Sequence, residues 1–175
     1  MIESIPYVLT GIGIIISILY YTTVLQNANK TRELQLRAQE HATETRQAAL
    51  FMPIYETFRN PEFRRQVTEI QQQTWKDLDE FLEKYGPENN PDAYATRIAV
   101  SSFFEGIGVL VKRDLVDICM VHNLLGVSVV NTWEKIGPVF IDARTRVNEP
   151  YIYLDFEYLY NEIIKYRKSL PELAT

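Results

Sequence analysis

The chain has 175 residues, a net charge of −5 and a pI near 5.1, which leaves room for one domain of ordinary size plus an appended segment. It excludes a general nucleic-acid binder, because no clustered Lys/Arg stripe is present to neutralise phosphates. A single cysteine, Cys119, excludes an intramolecular disulfide framework and suits a reducing compartment, and two histidines, His41 and His122, leave little material for a metal site.

From Ser4 to Asn29 no residue is charged, and Ile5 to Leu25 reads IPYVLTGIGIIISILYYTTVL, about the length that crosses a bilayer core as a helix. Roughly ten Ile, Leu and Val residues favour insertion by about 0.3 to 0.6 kcal/mol each, and no charge opposes them with its penalty of about 3 kcal/mol. Tyr7 at one end and Tyr20-Tyr21 at the other fall where aromatic belts occur. A signal peptide wants a basic start and a small-residue cleavage site, whereas this chain offers Glu3 and then Tyr-Tyr-Thr-Thr. Residues 1–25 are therefore expected to be a retained membrane anchor. Lys30, Arg32 and Arg37 follow it, so the positive-inside bias places the N-terminus outside the cell membrane and the large C-terminal part in the cytoplasm.

No glycine or proline interrupts the chain from Gln26 until Pro53, so the membrane helix is expected to continue as a stalk over 26–59. A heptad lattice runs through Val24, Ala28, Thr31, Gln35, Ala38, Ala42, Thr45, Ala49 and Met52. Its residues are small, which gives little apolar driving force but suits close approach of a second helix. Leu34 and Leu36 fall outside the lattice.

Beyond the stalk, Asn60-Pro61-Glu62 combines an N-cap residue, a proline at the first helical position and an acid in the first turn, so a helix begins there with Phe63, Val67 and Ile70 as its stripe. Thr74-Trp75-Lys76-Asp77 caps a short helix through Leu78, Phe81, Leu82 and Tyr85, ended by Gly86-Pro87. Asn90-Pro91-Asp92 repeats the start signal. Three further helices are expected: Asp117 to Leu125, ended by Gly126; Ser128 to about Val147, kinked or broken at Gly137-Pro138; and a last one from near Tyr153 to Lys168. No period-two strand, glycine-rich loop or internal repeat is present. The fold class is all-α: one N-terminal transmembrane helix continuing into a stalk, then a cytoplasmic helical bundle over 60–175.

The stretches FFEGIGVLVKRDLVDICMVHNLLG, WEKIGPVF and FEYLYNEI resemble the core of a family of prokaryotic membrane-anchored helical proteins catalogued as a domain of unknown function. The resemblance spans the chain from Pro61 to Lys168, and YYTTVLQNANKTRE is similar to archaeal members. A glycine commonly stands in that pattern where Asp114 stands here, which implies a different local turn. The resemblance implies the architecture and brings no activity, cofactor or catalytic residue with it.

One carboxylate, Glu105, sits inside the otherwise apolar run Ser101-Ser-Phe-Phe-Glu-Gly-Ile-Gly-Val-Leu-Val-Lys112. At about 100° per residue, Phe103, Phe104, Ile107, Leu110 and Val111 cover one side of the helix, and Glu105 shares the other with Ser101, Ser102 and Lys112. Tyr94, Ile98 and Val109 lie there too, so the helix is apolar nearly all round and belongs inside the bundle. With about fourteen residues between Arg97 and Lys112 it is too short for a second membrane span. A buried carboxylate must find a partner or take up a proton. The expected role is a structural ion pair or hydrogen bond, with Arg64, Arg97 or Arg144 as partner; ligand contact by Glu105 with Ser101 and Ser102 is the functional alternative.

Asp117, Cys119 and His122 lack the second ligand pair of a structural zinc site. No serine or cysteine has a neighbouring base, and no phosphate-binding or dinucleotide fingerprint appears. Trp133 and the aromatics from Tyr151 to Tyr166 read as packing residues. No catalytic residue, metal or cofactor is expected, and the protein is not expected to be an enzyme. The function expected first is a membrane-anchored interaction protein: a scaffold, assembly factor or accessory subunit of a membrane complex. Its partners are the bilayer, protein partners of unknown identity and a second copy through the seam Ala28, Thr31, Ala38, Ala42, Thr45 and Ala49, with no nucleic acid. The alternative is a small-ligand sensor or regulatory domain with a polar pocket near Glu105, and a membrane-bound enzyme comes third.

Overall fold

The computed structural model describes residues 5–171, with side chains from 12 to 171. The first four residues of the expected anchor, the belt position of Tyr7 and the last four residues of the expected 60–175 domain lie outside the described residues. Among the described residues there are six helices and no strand: α1 Ile5–Arg59, α2 Pro61–Gln72, α3 Leu78–Tyr85, α4 Pro91–Lys112, α5 Ile118–Arg146 and α6 Leu154–Ser169. The chain divides into two compact units, Met1–Arg46 and Gln47–Thr175.

Among the described residues the first unit is the part of helix α1 that ends at Arg46. From Ile12 to Leu25 large apolar side chains stand exposed on every side, and the hydroxyls within this run bond back to carbonyls one turn earlier: Ser17 donates to Gly13 at 2.8 Å, Thr22 to Ile18 at 2.9 Å and Thr23 to Leu19 at 2.8 Å. From Gln26 to Arg46 the helix is mostly polar all round, a composition that needs pairs along its own surface. Arg37 supplies one by reaching Glu33 at 2.6 Å.

The second unit opens earlier than the 60–175 boundary expected from the sequence. Phe51 and Phe58 are 1% and 3% exposed and join the core, so the last turns of the expected stalk, from Gln47, belong to the bundle. Its next three helices start where their caps stand. Asn60 accepts from the Glu62 N–H, Asp77 from the Glu80 N–H and Asn90 from the Ala93 N–H, at 2.8, 2.9 and 3.1 Å, each satisfying a donor that the helix itself leaves orphaned.

The two helices expected between Asp117 and Val147 are one continuous helix, α5, with Pro138 inside it. Neither glycine acts as a terminator, because buried residues on both sides, Leu125 and Val129 about Gly126 and Ile136 and Val139 about Gly137, hold the helix in the core. A Cβ on Gly126 would meet the His122 ring at 3.2 Å, and one on Gly137 would meet the Trp133 indole at 2.7 to 2.9 Å. Tertiary packing here overrides the local cost of about 1 kcal/mol that a glycine brings to a helix interior.

Asp114 adopts a left-handed conformation, with φ 54°. The Asp114 N–H bonds to the Val111 carbonyl and the Leu115 N–H to the Leu110 carbonyl, at 3.0 and 2.9 Å, which is the paired hydrogen bonding of a Schellman turn. The turn is therefore the one a glycine would make, and aspartate is among the few other residues that tolerate it. The core lies where α4 and α5 meet α6, with Phe104, Ile107, Trp133, Ile136, Phe156 and Leu159 at its centre.

Candidate functional site

Glu105 lies on the stripe of α4 that grips the first turn of α6. Helix α6 begins at Tyr153 with φ 49° and no side-chain cap of its own. The missing acceptor comes from α4: the Phe156 N–H donates to Glu105 Oε2 at 2.6 Å. One turn on, a Cβ at Gly108 would lie 1.9 Å from the Asp155 carbonyl oxygen, so the absence of a side chain is what lets the two backbones touch. One turn further, Lys112 Nζ pairs with Asp155 Oδ1 at 2.7 Å. A carboxylate at a helix N-terminus is favoured both by the orphan N–H groups and by the helix dipole.

None of the three arginines expected to pair with Glu105 does so. Arg144 is taken up elsewhere, donating to the carbonyls of Ile152 at 2.8 Å and Tyr153 at 3.2 Å and to Glu157 at 2.5 Å, and so clamps the turn before α6. Arg64 lies over the Phe58 ring. Ser101, placed by the sequence on the polar side with Glu105, is fully buried on the core side and its hydroxyl has no partner, whereas Ser102 is exposed. Ser101 and Glu105 thus do not converge as a polar set.

Arg97 is the residue that sequence reasoning undervalued. It is 8% exposed, its guanidinium lies 4.8 Å from the Phe81 ring centroid and 4.9 Å from that of Tyr94, and its Nε has no hydrogen-bond partner. Burial pulls its pKa below the ordinary arginine value, partly offset by Tyr153 and Tyr94. No carboxylate pairs with it among the described residues. The signal was present in the sequence: Arg97 is the single charge between Asp92 and Glu105, the same isolation that drew attention to Glu105.

Arg97 borders a cleft of about 630 Å³. Leu78, Leu82, Ile98, Val139, Phe140 and Ile152 form its apolar walls, and Tyr94, Arg97, Glu105, Arg146 and Tyr153 supply the polar groups. Two of the three charges are already engaged, Glu105 by the Phe156 N–H and Arg146 by Asp79 at 2.6 Å and Asp142 at 3.6 Å. Tyr153 is held in its left-handed conformation by Arg144 on its carbonyl and by its ring against Phe140, 4.3 Å between centroids. Burial raises the pKa of its hydroxyl, eased by Ser102 and by the charge of Arg97. Strained residues of this kind concentrate at ligand-contacting positions.

Asp117 accepts from the Cys119 N–H at 2.6 Å as the cap of α5, and His122 packs on Tyr166 with centroids 5.0 Å apart. Among the described residues no group of three His, Cys, Asp or Glu side chains is placed to hold a metal. The seam positions Ala28, Thr31, Ala38, Ala42, Thr45 and Ala49 are all exposed. Helix α4 is long and apolar enough to cross a membrane by length and composition, but its buried residues, from Ala93 to Val111, build the bundle core.

No curated protein and no solved structure matches the chain. Residues 8–163 match the family described as Domain of unknown function (DUF4760), and the chain belongs to it.

Proposed function

We propose that this member of the DUF4760 family is a single-pass membrane-anchored protein whose cytoplasmic helical domain binds a small ligand in the cleft beside α4, and serves as a sensor or regulatory domain rather than as an enzyme. The observation that carries the reading is the cleft itself: its volume of about 630 Å³ falls in the small-molecule range, and apolar walls with a few polar groups are the usual composition of such a site. A buried guanidinium without a counter-charge on its border is costly for folding alone. That cost has a purpose if a ligand offsets it.

The anchor rests on the uncharged apolar stretch Ile5 to Leu25 and on Lys30, Arg32 and Arg37 after it. As a test of orientation, Asn89→Cys in the exposed turn between α3 and α4, in a chain carrying Cys119→Ser, should react with a membrane-impermeant maleimide only after permeabilisation. Labelling in intact cells would reverse the topology.

The interaction reading comes second, favoured by the exposed face of α1 with its small-residue seam. Copurification separates the two. Full-length protein taken from native membranes in mild detergent, then denatured and extracted, should release a small molecule in near-stoichiometric amount. A stoichiometric protein partner or a crosslinked dimer, with no retained small molecule, would put the scaffold reading first.

A further inference from the structure

The geometry points to a ligand of one chemical class: a single-headed amphipathic carboxylate, its head group on Arg97 and its apolar body along the walls of Leu78, Ile98, Val139 and Phe140. This rests on the reading of the cleft as a ligand site and goes beyond it by naming what the site selects.

The argument begins with the arginine. Phe81 and Tyr94 lie near its guanidinium, and its buried Nε has no hydrogen-bond partner. A guanidinium presents its donors as a fork that fits a carboxylate through two parallel hydrogen bonds. Charge counting then limits the head group. Arg146 is committed to Asp79 and Asp142, and Glu105, also on the cleft, is a carboxylate already engaged by a backbone N–H. Arg97 is the one cation on the cleft without a carboxylate partner among the described residues, so a single carboxylate head group finds one fork to pair with, and a phosphate dianion would bring a second charge beside Glu105 with no further free cation to balance it. The rest of the cleft is apolar, so the remainder of the ligand is hydrocarbon.

The test uses full-length protein in phosphatidylcholine nanodiscs, with empty nanodiscs as blank, titrated calorimetrically with octanoate, octanol, octylammonium and octyl phosphate. Octanoate should bind roughly ten- to a hundredfold more tightly than octanol, the ratio that a charge-assisted hydrogen-bonded pair supplies. Octylammonium should bind least. Arg97→Met should bring octanoate down to the level of octanol, while the melting temperature holds or rises, because an apolar chain replaces a buried unpaired charge. Arg97→Lys keeps the charge without the fork and should retain part of the preference.

Equal binding of octanoate and octanol by the wild type would overturn the carboxylate assignment and leave the cleft reading standing. A preference for octanoate that survives Arg97→Met would remove Arg97 from the site. Tighter binding of octyl phosphate would replace the carboxylate by a phosphate, and absence of binding by all four probes would overturn the cleft reading as well.

Discussion

Gly108→Ala should lower the melting temperature of the full-length protein by roughly 5 to 10 °C, the effect of about 2 to 3 kcal/mol in a chain of this size. The added Cβ would stand 1.9 Å from the Asp155 carbonyl oxygen and 2.5 Å from its carbon. Both are backbone atoms, so no side chain can turn away; α6 itself must lift. Lifting α6 stretches the Glu105 bond to the Phe156 N–H and the Lys112–Asp155 pair on either side of the contact. The control lies two residues away. Gly106 is exposed, with nothing within 4 Å of a Cβ, and Gly106→Ala should stabilise by about 0.5 to 1 kcal/mol, the ordinary gain for a glycine inside a helix. Tryptophan fluorescence during thermal unfolding, from Trp133 in the core and Trp75 packed against it, reports both variants. A Gly108→Ala protein that melts with the wild type, or a Gly106→Ala protein that falls as far, would show that the backbone contact is not what fixes α6.

Glu105→Ala should destabilise by about 1 to 3 kcal/mol, because it leaves the half-buried Phe156 N–H without an acceptor and removes a negative charge from the start of a helix. No other side chain caps that end, since Tyr153 makes no capping hydrogen bond. Glu105→Gln keeps an acceptor oxygen and loses the charge, so it should lie between the wild type and the alanine variant. The Phe156 amide should exchange with solvent faster in that same order. If neither melting temperature nor exchange moved while octanoate binding was lost, the residue would be a ligand contact and not a cap.

The parts of the fold that could be read from the sequence are those whose cause is local. Asn60-Pro61, Asp77 and Asn90-Pro91 start helices through atoms two or three residues away, so a short window contains the whole reason. Gly126 and Gly137-Pro138 look like stops in the same window, but α5 runs through them because Leu125, Val129, Ile136 and Val139 are buried against other helices of the core. Phe51 and Phe58 read as the end of a stalk because nothing beside them in sequence shows what covers them. The candidate site follows the same division. That Glu105 needs a partner follows from its apolar neighbours, but the partner is a backbone N–H far along the chain, which no local pattern encodes. Arg97 was visible as an isolated charge; its lack of a counter-ion is a property of the folded bundle.

Helix α6 also sets when the domain can close during synthesis. Phe156 stacks on Phe104 and meets Trp133 edge-on, each at 5.0 Å between centroids, and Leu159 and Ile163 fill the rest of the same interior. These residues follow α4 in the chain by some fifty positions, and a ribosome adding roughly 5 to 20 residues per second takes several seconds to reach them. Through that interval the inner faces of α4 and α5 have no lid. Folding of the bundle therefore waits on the arrival of α6, and a nascent chain stalled before Tyr153 would present its aromatic interior to chaperones or to other nascent copies.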